Sequence, residues 1–247
     1  MKTSYLELNG RDRLSVTGGA FMQQILPLDS IQRNRFDNSG VYSEKIAEDE
    51  DRARLIKACL NKLEFSIDDF NATVKDGFVP ASKDAVYLIV LATWIMQSYW
   101  EVKQGIKKDL IDDFKYSRSE ELKHAYKYIS FLRSLVVAHP LGTSQHEKYG
   151  FDGDRICVDI RGRIPLDSIP KATAFRIDFD GSYEAEPPGE YDVVLAVYSQ
   201  KSVKDGNSLF QRFYFDMSDV REASNLYVDA LNELDCHLFN LGNMGDC

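Results

Sequence analysis

The chain has only four cysteines, Cys59, Cys157, Cys236 and Cys247, far apart and with no Cys-x-x-Cys pair. That spacing excludes the usual zinc knuckles and leaves free thiols as the reading. A positive surplus is missing as well. The formal charge is −9, which argues against a protein that coats nucleic acid by bulk electrostatics. The first residues, Met1 to Asp12, have no apolar run with a cleavage pattern of small residues, so no signal peptide is expected. The longest apolar run, Ala85 to Met96, is broken by Thr93 and reads as too short to cross a bilayer. These absences point to a reducing, cytoplasmic setting with no membrane partner.

Signature loops are also absent. There is no Gly-x-x-x-x-Gly-Lys-Ser/Thr, Gly-x-Gly-x-x-Gly, His-Glu-x-x-His or Gly-x-Ser-x-Gly, so the common nucleotide-loop, zinc-protease and hydrolase classes are unsupported. Asp152-Gly153-Asp154 lacks the later ligands of a calcium loop. Asp178-Phe179-Asp180 resembles a phosphatase motif, but no βαβ alternation follows it, and a hairpin turn is the better reading. No metal and no cofactor is expected.

What remains is an ordinary globular composition, 44% hydrophobic and 28% charged over 247 residues. Residues 1–42 read as a loop-rich arm with one short element near Ala20 to Leu26. From 43 to 149 the apolar residues recur at steps of three and four. Ile46, Ala53, Ile56, Leu60 and Leu63 give a first helix capped by Ser43, and a second, short helix is expected from Ser66 to Gly77. From Ser82 to Gly105 a helix apolar on nearly every side should be the core of a bundle. Trp94, Tyr99 and Trp100 on it suit packing better than base stacking. Polar residues from Lys107 to Glu121 bridge to another helix, on which Leu122, Tyr126, Ile129, Leu132 and Val136 share a face.

Between 150 and 217 the period falls to two, in Ile156, Val158, Ile160 and again in Phe175, Ile177, Phe179. A denser run from Tyr191 to Ser199 and an aromatic one from Leu209 to Phe215 follow, joined across Lys204-Asp205-Gly206-Asn207, a hairpin signal. This predicts an antiparallel sheet of three or four strands. Residues 218–247 return to a helical stripe through Val220, Ala223, Leu226, Tyr227, Ala230, Leu231, Leu234 and Leu238, packing back on the same unit. The expected class is α+β: an antiparallel helical bundle with a small antiparallel sheet inserted before a C-terminal helix.

Two residues near the end of the fourth bundle segment draw a chemical reading. Arg133 is followed, after Ser134 to Ala138, by His139, which precedes Pro140 and so sits at a helix mouth. Arginine matches phosphate oxygens with a planar fork, and histidine can give or take a proton near neutral pH. Together they suit RNA self-cleavage, in which the 2′-hydroxyl attacks the adjacent phosphorus with no metal. Six residues of regular helix leave the two side chains about 120° apart and about 9 Å apart along the axis, so a twofold dimer or an unwound last turn is needed to bring them together. His146 in the following loop is an auxiliary candidate. The segment Glu101 to His139 holds eight Lys or Arg against six Asp or Glu, the reverse of the chain's balance.

The arrangement Arg133-x5-His139 over about Ile46 to His146 resembles the HEPN family of helical domains. That resemblance implies a metal-independent endoribonuclease of toxin or phage-defence type, a homodimer whose paired protomers line one cleft with both residues, RNA as substrate, and an inhibitory protein partner. The position after the arginine is Ser134, where the family often has Asn or Asp. The competing reading is a non-catalytic helical interaction or ligand-binding module in which Arg133 and His139 are structural.

Overall fold

The computed structural model describes residues 25–31, 46–80, 83–136, 147, 149–151, 156–161, 174–179, 183–184, 191–199 and 209–244. Five helices are named among them: α1 (Glu50–Lys75), α2 (Lys83–Gly105), the single turn α3 (Lys108–Ile111), α4 (Ser119–Val136) and α5 (Met217–Met244). Five strands, β1 (Ile156–Arg161), β2 (Ala174–Ile177), β3 (Tyr183–Glu184), β4 (Val193–Ser199) and β5 (Leu209–Phe215), lie between α4 and α5 in sequence. The class is therefore α+β, with helices dominant.

The start of α1 is set by Asp49, whose carboxylate accepts from the Arg52 N–H at 2.8 Å, and by Glu50 and Asp51 in the first turn. Carboxylates there satisfy free N–H groups and complement the helix dipole. The acidic run is thus a helix start; Glu50 and Asp51 also pair with Arg54 on the surface. The proposed cap, Ser43, lies outside the described residues. The expected break at Ser66 does not occur. Ser66 is fully buried and its hydroxyl bonds the Lys62 carbonyl one turn back at 2.7 Å, so the side chain is satisfied inside the helix rather than at an end. One helix of 26 residues replaces the expected two, and it stops before Gly77, whose φ of 95° only glycine adopts cheaply.

Helix α2 carries twelve buried positions from Ala85 to Gly105 and packs against α1, α4 and α5. At 23 residues it is, by length and composition, able to span a bilayer, contrary to the expectation from its shorter apolar run. Most of it is buried inside the fold, the placement of the core helix of a soluble protein. Gly105 ends it where a Cβ would lie 2.8 Å from Cγ1 of Ile56, so glycine is what allows α1 and α2 to close there.

The sheet corrects the expected one. It has five strands, in the order β1-β4-β5-β2-β3, and is mixed: β2 runs parallel to β5 while the other neighbours are antiparallel. The β4–β5 pairing and the β2–β3 hairpin around Asp178 agree with the turn signals. Val193 to Val197 on β4 are buried on both faces, which explains why that strand reads as a continuous apolar run. An aromatic cluster fastens sheet to bundle. Phe213 lies 5.8 Å from Phe131 of α4, 4.7 Å from Tyr149, 5.6 Å from Phe175 and 6.3 Å from Phe151, ring centre to ring centre. One hydrophobic core includes residues of α1, α2, α4, α5 and the strands.

Candidate functional site

The described residues form a cleft of about 640 Å³ where the end of α2, the α3–α4 connection and the first half of α4 meet. Clefts of this size accept ligands the size of a drug or a nucleotide. Tyr99, Trp100 and Lys103 come from α2, Phe114, Lys115 and Tyr116 from the connection, and Ser119 to Lys127 from α4. Helical spacing explains the α4 contribution, since Ser119, Leu122 or Lys123, and Tyr126 or Lys127 lie one turn apart.

The connection is held against α5. Glu233 accepts from both the N–H, at 3.0 Å, and the hydroxyl of Ser117. The His237 ring meets the Leu110 carbonyl at 3.1 Å and lies 5.4 Å from the Phe114 ring. Arg118 is engaged by Glu121 and by Asp229 at 3.7 Å. Anchored at both ends, this segment forms a fixed wall.

Four lysines, Lys103, Lys115, Lys123 and Lys127, line the cleft against one glutamate, Glu120. In a chain of charge −9 this is a local reversal of sign that suits an anion. Lys123 is paired with Glu120 at 2.6 Å. Lys103 lies 5.6 Å from the Trp100 ring and 5.8 Å from the Phe114 ring, within cation–π range of both. Lys115 and Lys127 are exposed, and Lys127, with Lys123, adds to the lowering of the Glu120 pKa. The aromatic groups fall into two kinds. Tyr99 and Tyr116 are buried, and burial, with Glu233 near the first and Asp229 near the second, pushes both phenols up to about 12, so they stay neutral. Trp100 and Phe114 are half-buried and Tyr126 is 49% exposed, leaving ring surface for a ligand.

Of the residues singled out from sequence, Arg133 is half-buried in the last turn of α4, and no carboxylate pairs with it among the described residues. It follows Tyr126 by seven residues, hence about 20° from the same face and about 10 Å further along the axis. Ser134 is 8% exposed and its hydroxyl bonds the Phe131 carbonyl at 2.7 Å, an intrahelical role. His139 and His146 lie outside the described residues. Trp94 is covered by Lys62 at 4.9 Å, Tyr99 packs in the core, and only Trp100 of the three suggested stacking residues presents part of its ring to the cleft.

Sequence reasoning passed over His124 on the helix, and it passed over Phe114 and Tyr116, counting Lys115 only among the basic residues, because the Lys107 to Glu121 stretch looks like a polar bridge. Its signal was the interleaving of Lys and aromatic residues in Tyr99-Trp100-x-x-Lys103 and Phe114-Lys115-Tyr116. Among the described residues no group of His, Cys, Asp and Glu is placed to hold a metal ion. Comparison with protein-family models, with curated proteins and with solved structures finds no match for this chain.

Proposed function

We propose that this protein binds single-stranded RNA in the cleft between α2, the α3–α4 connection and α4. The observation that carries the reading is the joining of four lysines with the half-open rings of Trp100, Phe114 and Tyr126 in one cleft of an otherwise acidic protein. Single strands are held by this combination, phosphates by cations and bases by aromatic faces. Arg133, on the same face of α4 two turns beyond Tyr126, extends the cationic track.

A catalytic form of the reading adds one step. In it the helical layer is a HEPN-like bundle and the protein a dimeric, metal-independent endoribonuclease of toxin or phage-defence type, subject to an inhibitory partner. Arg133 neutralises the phosphorane, and His139 takes the proton as the 2′-hydroxyl attacks and returns it to the 5′-oxygen as the P–O5′ bond breaks, leaving a 2′,3′-cyclic phosphate and a 5′-hydroxyl. Ser134 is no longer assigned a part, since its hydroxyl is engaged by Phe131. The second reading, a non-catalytic binding module, is favoured by the place of the cleft, which is built on the first half of α4, two turns from Arg133.

Binding of a labelled single-stranded RNA, and its cleavage in EDTA, test both. Lys115→Glu and Lys127→Glu should each weaken binding and lower the slope of log affinity against log salt by about 0.7 for each phosphate no longer neutralised. Unchanged affinity in the double variant removes the RNA reading. Cleavage by wild type that is lost in folded Arg133→Ala and His139→Ala establishes the catalytic form; binding without cleavage leaves the module.

A further inference from the structure

Residues Ile25–Ile31 cross α1 and α5 without regular secondary structure, yet five of the seven backbone N–H and C=O groups along Pro27 to Ser30 are bonded by side chains of those helices. Asn71 of α1 takes both groups of Leu28: its carbonyl accepts from the Leu28 N–H at 2.6 Å, and its amide donates to the Leu28 carbonyl at 3.0 Å. A neighbouring β-strand would make the same pair of bonds. From α5, Arg221 donates through Nε and Nη2 to the Pro27 carbonyl at 3.2 and 3.0 Å. Asn225 accepts from the Asp29 N–H at 2.9 Å and donates to the Asp29 carboxylate at 2.6 Å. Asn232 donates to the Ser30 carbonyl at 3.2 Å. Arg221, Asn225 and Asn232 fall at steps of four and seven, on one stripe of α5.

The apolar side chains follow a second rule. Ile25 and Leu28 are buried and Ile31 packs partly against the same core, whereas Leu26, Pro27, Asp29 and Ser30 are exposed. A period of three is that of an extended polyproline-type chain, which has no internal hydrogen bonds and offers its backbone to a receptor. Main-chain hydrogen bonds that give affinity, with pockets for spaced side chains that give selectivity, define peptide recognition.

We propose that the α1–α5 groove is a peptide-recognition site, filled in cis by residues 25–31, that accepts the same chemistry in trans. Its ligand is an extended segment of a partner polypeptide with apolar residues three apart around a proline and an aspartate after the second apolar residue. The tethered segment competes at an effective concentration on the order of millimolar, so it acts as a built-in blocker. A partner gains access when the segment is displaced or weakened.

The test uses the full chain and a fluorescent peptide of residues 24–32. Leu28→Asp removes the central anchor of the tethered copy and leaves the groove intact. The folded variant should bind the peptide at least tenfold more tightly than wild type does, and adding Arg221→Ala and Asn225→Ala should abolish that binding. A peptide carrying aspartate at the Leu28 position should not bind. If Leu28→Asp does not fold, Leu28→Ala gives the same comparison with a smaller lesion. The proposal is overturned if the folded variant binds no peptide, binds no better than wild type, or binds equally well without Arg221 and Asn225.

Discussion

Phe213→Ala should be the most informative single change in the core. Phe213 is fully buried on β5 and faces four other rings, of which Phe131 belongs to α4 and Phe175 to β2. Truncating a buried phenylalanine costs about 3–5 kcal/mol, through lost burial and the cavity left behind. Aromatic pairs add about 0.5–1.5 kcal/mol each beyond area, so the upper half of that range applies here. In a chain of this length each kcal/mol lowers Tm by about 2–4 °C, giving a fall of about 8–20 °C. Because one core is shared by sheet and helices, the loss should appear equally in two probes. Helical circular dichroism reports the whole bundle, and fluorescence reports Trp94 and Trp100 on α2, away from the lesion. Coincident transitions, both shifted, are expected in thermal and denaturant unfolding. A shift under about 1 kcal/mol, or a tryptophan transition that stays at its wild-type position while the circular dichroism one moves, would refute the reasoning that Phe213 ties two layers into one cooperative unit.

Two further changes probe a charge and a close approach. Asp219, in the first turn of α5, has its pKa pushed up to about 6 by burial, with Asp216, Glu222 and Asp178 adding to the rise and Arg176 opposing it. The folded form thus holds a proton that the unfolded chain releases near 3.8, so this group's contribution is most favourable below that value and is lost as pH rises through about 6. Asp219→Asn should stabilise the protein at pH 7 and not at pH 3.5, read from denaturant midpoints at both; equal effects at the two values would contradict it. Gly105→Ala puts a methyl 2.8 Å from Ile56 Cγ1, and overpacking of this kind costs about 1–3 kcal/mol. The denaturant midpoint should fall at constant m-value, and a neutral result would mean that α1 and α2 separate there without cost.

Local pattern carried most of the element content. The steps of three and four in α1, α2, α4 and α5 name most of the residues that are buried, Tyr126 at 49% exposed being an exception on α4, and the alternation in β1 and β2 marks strands, because which face of a segment is apolar is written in its own spacing. The capping signal at Ser66 misled for a local reason: a buried serine can bond its own helix. The strand order and the parallel joining of β2 to β5 were not legible, and the double burial of β4 showed only as a dense apolar run, since periodicity says that a face is covered and not by what. The same holds for function. Sequence alone marked Arg133 and the lysine-rich stretch around it, but only tertiary packing brought Trp100, Phe114, Lys115 and Tyr126 from three elements into one cleft, and laid residues 25–31 under Asn71 and Arg221, far from them in the chain. Such contacts depend on how whole elements dock, and docking is fixed by the joint packing of the core rather than by any stretch within it.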